Sequence, residues 1–334
     1  MHRIAKAVFL TLLCVALSTA VFAQSPKKKQ GKKKGRPPAI TWVNELGDKP
    51  LPTRTQHLTF KSKLAGQDVG YCIYLPDEYE ASPEKRFPVI YNLHGNGGNE
   101  FTRFQSIEVL DEGIQSGRWP AVIMVLPNGG HSTFYKDSAD GRFPMESILM
   151  TELIPYIDET YRTIADGDAR CIEGFSMGGR GSTRLAVKYP EMFCSLFCQA
   201  GNVPNLLEAF DPSNPEDYPM SYLGTDRKVY EENDVYFLLA KNKQRIREEL
   251  RIQFACGTKD GGHLPTIRDF HQALLDQKID HTYLEIEGLG HKRTEMINLY
   301  RPIWFDYHIE SLRRTGAIKK ETDKEPRNTP KTRK

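Results

Sequence analysis

Short apolar runs of strand length alternate along the middle of the chain with longer segments of helical spacing. His57–Ser62 and Val69–Leu75 read as two opening strands, and the Glu- and Pro-bearing stretch from Pro76 to Pro88 reads as a loop. Val89–Leu93 and Ala121–Leu126 are wholly apolar or nearly so, as expected of strands buried on both faces. In Met145–Tyr161 the residues Ile148, Leu149, Leu153, Ile154 and Ile157 repeat at helical spacing. The run Ala169–Glu173 predicts a strand, and Arg180–Tyr189 predicts a helix stopped by Pro190. Ser195–Gln199, Arg251–Ala255 and Tyr283–Glu287 predict further strands, with helices over Asp234–Glu249, Ile267–Leu275 and Glu295–Leu312. Strands alternating with helices indicate an α/β fold, a mostly parallel sheet covered by helices on both faces.

Composition agrees with a packed domain: 39% of the 334 residues are hydrophobic and 10% aromatic. The formal net charge of +3 hides a division. Residues 1–38 hold nine Lys/Arg and no acid, and residues 313–334 hold nine against three, which leaves 28 basic and 40 acidic residues between them. An acidic body argues against nucleic-acid binding. Residues 1–23 have the form of an export signal. Arg3 and Lys6 open it, Ala7–Ala20 is largely apolar, and Val21-Phe22-Ala23 resembles a cleavage site. The lysine runs 27–29 and 32–34 oppose translocation, so the alternative is an uncleaved membrane anchor. Residues 24–40 and 314–334 are expected to be basic, disordered segments flanking a catalytic domain at 41–313. Segment 201–250, with Pro204, Pro212, Pro215 and Pro219, is a candidate cap over the carboxyl ends of the strands.

Five cysteines follow the signal, an odd number, and four of them (Cys72, Cys171, Cys198 and Cys256) lie in or beside apolar runs, which reads as buried thiols. Cys194 and Cys198 lack partners at metal spacing, so no zinc site is expected.

The chemistry concentrates in Gly174-Phe175-Ser176-Met177-Gly178, between a predicted strand and a predicted helix. A serine on such a turn is the nucleophile elbow of the α/β-hydrolases; the turn is too tight for side chains two residues either side of the serine. That fold orders its residues Ser, then Asp/Glu, then His. Asp260 follows the strand 251–255 in a turn, and His291 lies in a Gly-containing loop after the last strand. His263 is the alternative base; His271 and His308 fall in helical patterns and His281 starts a strand. The oxyanion donors are expected to be the backbone N–H groups of Met177 and of Asn96, in the loop His94-Gly95-Asn96-Gly97-Gly98.

These segments resemble the Putative esterase family, which includes feruloyl esterases, formylglutathione hydrolases, enterochelin esterases and mycolyltransferases. The resemblance is carried by Tyr71–Pro76, Phe87–Gly95, Glu152–Ile157, Tyr161–Thr163, the elbow, Cys256–Asp260 and Gly290-His291. It implies Ser176, Asp260 and His291 as a triad, Met177 and Asn96 as oxyanion donors, and Phe134 and Tyr135 as lining of an acyl pocket. It implies no metal and no organic cofactor. Arg293 stands where relatives of the feruloyl type often carry an aromatic residue, which argues against an aromatic acid. The expected activity is that of a secreted serine esterase acting on acyl groups of carbohydrate, with an acyltransferase or a non-catalytic carbohydrate-binding protein as alternatives. Oligomeric state is not set by these features.

Overall fold

The computed structural model describes residues 39–217 and 219–319. The expected signal at 1–23 and nearly all of the expected linker lie outside them, as does most of the C-terminal tail. Eight strands form one sheet: β1 Thr55–Ser62, β2 Gln67–Tyr74, β3 Val89–Leu93, β4 Ile123–Pro127, β5 Arg170–Phe175, β6 Ser195–Gln199, β7 Arg251–Gly257 and β8 His281–Ile286. Their order is β1-β2-β4-β3-β5-β6-β7-β8. β1–β2 and β2–β4 pair antiparallel, and all the other pairs are parallel. Every residue of β3, β4, β5 and β6 is buried, which explains the nearly apolar runs of β3 and β4. β1 and β8 mix buried with exposed positions because each forms an edge of the sheet.

Six longer helices matter here: α1 Phe104–Gln115, α2 Met177–Lys188, α3 Val235–Glu249, α4 Leu264–Asp276, α5 Arg293–Leu299 and α6 Asp306–Thr315. α1 has no counterpart among the sequence expectations. The helix expected at Glu295–Leu312 is two helices joined by a 3-10 turn at Arg301–Ile303, because Pro302 supplies no N–H to continue the ladder. Segment 145–160 is helical as expected, but its middle, Ile148–Leu153, winds as a π-helix just before Pro155, which removes another N–H. Arg314 and Thr315 belong to α6, so the fold continues past the expected boundary at 313.

Segment 201–234 has a small core of its own, formed by Leu206, Met220, Leu223 and Tyr230. It is pinned to the loop after β4, where Tyr222 donates through its hydroxyl to the Lys136 carbonyl at 2.9 Å. All five described cysteines are buried and free. Burial pushes the Cys198 thiol up to about 11 and the Cys256 thiol up to about 12. Among the described residues, no helix is long and apolar enough to cross a membrane.

Candidate active site

The loops after β3, β4, β5, β7 and β8 all leave the same end of the parallel strands, the end where open α/β sheets place their ligands. Ser176 sits between β5 and α2 with φ 58° and ψ −118°, a backbone conformation that L-residues rarely adopt. The packing that enforces this turn is severe. A β-carbon at Gly174 would run into the backbone of Gly178, and one at Gly178 would run into the carbonyl of Leu93 on β3. The helix begins directly after Ser176, so the N–H of Met177 has no carbonyl four residues back to bond.

Asp260 and His291 come from the turns after β7 and β8. The two turns are bolted together: the Lys259 N–H donates to the Leu289 carbonyl at 2.9 Å, and Gly257 packs too closely against that carbonyl for any β-carbon. His291 Nδ1 donates to Asp260 Oδ2 at 2.6 Å, and Ser176 Oγ donates to His291 Nε2 at 2.9 Å. The direction of the first bond follows from charge. Burial works to raise the Asp260 pKa, but hydrogen bonds from two imidazoles outweigh it and hold the carboxylate ionised. Burial lowers the pKa of His291, and neighbouring His263 and Arg103 push it the same way against the pull of Asp260. Neutral imidazole with its proton on Nδ1 leaves Nε2 free to accept from the serine. The structure therefore brings together the three residues expected from the chain order.

The loop His94–Gly98 passes beside the elbow. A β-carbon on Gly95 would lie 3.4 Å from Ser176 Cβ. The N–H groups of Gly97 and Gly98 are used within this neighbourhood, on the carbonyls of His131 and Gly95, whereas that of Asn96 has no partner among the described residues. His94, fully buried, braces the loop from below: its Nδ1 donates to the Gly95 carbonyl at 2.8 Å and its Nε2 accepts from the Gly129 N–H at 2.9 Å. Burial brings its pKa down to about 4, so it stays neutral.

Residues 62–297 match the Putative esterase family. The chain belongs to that family. Two Mycobacterium tuberculosis esterases are 32% identical to it over 152 residues, 44% of this chain and 32% of theirs, so it spans about a third of the length of those curated relatives. An acetyl esterase of Caldicellulosiruptor saccharolyticus is 25% identical over 253 residues, 70% of this chain and 90% of the relative. Among solved structures, a ferulic acid esterase superposes with a TM-score of 0.63 at 25% identity, covering 78% of this chain and 98% of the other.

Against the family's expected pattern, the loop after β4 needs a correction. Tyr135 is fully buried: its ring fills the space over Gly129 and Gly181, and its hydroxyl donates to the His94 carbonyl at 3.2 Å. It supports the loop His94–Gly98 and offers no surface to a substrate. Phe134 is half-buried, with the Arg180 guanidinium 4.7 Å from its ring centroid. Both residues have positive φ, 52° and 55°, and such strain gathers at functional loops. Arg293 also turns inward: it is buried, and donates to Ser106 Oγ and, at 3.4 Å, to Gln105 Oε1.

Three neighbours of this site were not singled out by sequence as parts of it. His263, expected only as a rival base, donates to Asp260 Oδ1 at 2.9 Å. The Cys256 thiol lies 3.8 Å from Asp260 Oδ2. Arg103, just before α1, places its guanidinium 5.5 Å from the Phe175 ring centroid; no sequence motif marks it. Asp260, His263 and His291 also offer three donor atoms within 4.8 Å of one another, a set that fits a metal by type. Those donors already satisfy one another, and the positive Arg103 beside His291 opposes a divalent cation there.

Proposed function

We propose that this chain hydrolyses carboxylic esters through Ser176, His291 and Asp260. The observation that carries the reading is the continuous hydrogen-bonded line Ser176–His291–Asp260 on an elbow that holds the serine at positive φ. Ser176 Oγ attacks the ester carbonyl as His291 Nε2 takes its proton, and Asp260 stabilises the imidazolium. The N–H groups of Met177 and Asn96 receive the developing oxyanion. His291 returns the proton to the leaving alcohol. Water then repeats the sequence on the acyl-enzyme and releases the acid.

The proposed substrates are acyl groups esterified to carbohydrate, outside the cytoplasm. Two observations support this: the acetyl esterase and ferulic acid esterase names among the similar proteins, and the signal-like residues 1–23. Arg293 is buried against Ser106 and so presents no exposed cation to an acyl group. Phe134 remains the candidate lining of the acyl pocket, and segment 201–250 the candidate cap. Assaying p-nitrophenyl acetate beside acetylated and feruloylated sugars tests the reading. Turnover of at least one sugar ester is expected; cleavage of none, with p-nitrophenyl acetate untouched, would sink it.

A further inference from the structure

Arg103 is a buried cation without a counter-charge. It is 5% exposed, its Nε has no hydrogen-bond partner, and no carboxylate pairs with it among the described residues. Its Nη2 lies 3.2 Å from where a Gly95 β-carbon would stand, and that same point is 3.4 Å from Ser176 Cβ. Guanidinium and nucleophile thus flank one glycine, the residue just before Asn96. The surrounding buried groups do not neutralise it. Arg293 is a second buried cation, and among the described residues the carboxylate that acts on both is Glu173. Glu173 is committed elsewhere: it accepts from Asn92 and Gln199 and faces His308 at 3.5 Å. Two guanidiniums against one carboxylate leave one positive charge under the elbow.

Burying an unpaired cation is expensive, and a fold retains one where something repays the cost. We propose that Arg103 is a positioning residue whose charge stabilises the oxyanion formed when Ser176 attacks an ester, acting across the Gly95–Asn96 loop. This rests on the esterase reading. In the ground state the carbonyl oxygen carries only a partial charge. In the tetrahedral intermediate it carries a full one, so the interaction grows along the reaction coordinate. The contribution should fall on kcat and leave KM nearly unchanged.

The test compares the full chain with Arg103→Met, which keeps most of the bulk and removes the charge, and with Arg103→Lys, which keeps the charge. Readouts are kcat and KM on p-nitrophenyl acetate, and inhibition by phenylboronic acid, whose serine adduct is a tetrahedral anion. We expect Arg103→Met to lower kcat about 10- to 100-fold with KM within about 3-fold, and to weaken the boronic acid by a similar factor. Arg103→Lys should recover most of both. The titratable and charged groups facing His291 are Asp260, His263 and Arg103, so losing the third should also move the acid limb of kcat/KM to higher pH. Should Arg103→Met fail to fold, Arg103→Gln serves as the neutral variant. A neutral, folded variant with wild-type kcat and boronic acid affinity overturns the proposal, as does Arg103→Lys behaving like it. If the wild type neither cleaves the ester nor binds the boronic acid, the esterase reading fails. If it does both and the neutral variant matches it, only the role of Arg103 fails.

Discussion

His263 lies flat on His291, ring centroids 4.1 Å apart and planes 7° apart, and each ring donates through Nδ1 to a different oxygen of Asp260. Only His291 also reaches Ser176. His291 is therefore clamped, with Phe175 at 4.6 Å contributing a further ring contact. His291→Ala should cost ester hydrolysis about 10³-fold or more in kcat. His263→Ala should cost about 10-fold, since it removes a brace and leaves the base. Steady-state rates on one substrate decide it; the reverse ranking would move the base to His263.

Replacing Ser176 separates chemistry from folding. Ser176→Ala should abolish turnover by about 10³-fold or more with an unchanged circular dichroism spectrum. Ser176→Gly should be equally inactive but more stable by about 1 kcal/mol, because glycine adopts φ 58° without strain. Equal melting temperatures for the two variants would mean the elbow holds no strain.

The elbow's tightness has its own signature. Gly178→Ala would push a methyl into the backbone of Leu93 and His94, which cannot swing away as a side chain would. A loss of about 1–3 kcal/mol is expected in urea unfolding, with activity falling further as the serine is displaced. Wild-type stability in this variant would contradict the packing.

Acid should act through a buried ion pair. Burial works to raise the Glu146 pKa, but Arg184 and Lys188 outweigh it and bring it down to about 2. A carboxylate whose folded pKa is depressed stabilises the native state above its ordinary value of 4.5, and that stability is lost as pH falls from there through about 2. Glu146→Gln should therefore lower stability by about 3–5 kcal/mol near pH 7. The gap to wild type should narrow as the pH falls below 4.5. Chemical denaturation at pH 7 and pH 3 measures both; a gap independent of pH would exclude the pair as its origin.

Local signals were the legible ones. The glycines around Ser176 must be glycines whatever the rest of the chain does, because the turn itself collides with any side chain. The fully buried strands β3 and β4 are legible as nearly apolar runs because both of their faces are covered. Helix α1 was not legible: its start at Phe104 carries no side-chain cap, and Gly113 interrupts the pattern. That glycine is there for tertiary reasons, since Trp119 packs where its β-carbon would be.

The sequence by itself determined the alternation of strands and helices, the elbow, and the order Ser176, Asp260, His291, all of which depend on neighbours a few residues apart or on their order along the chain. Only the tertiary structure decided which histidine faces the serine, that Tyr135 and Arg293 point inward, and that Arg103 stands unpaired beside Ser176. Ser176, Asp260 and His291 leave different strands, and loops as far apart as residues 95 and 260 converge on one end of the sheet. Where a side chain points at such a junction is set by packing between elements distant in sequence, to which no local periodicity responds.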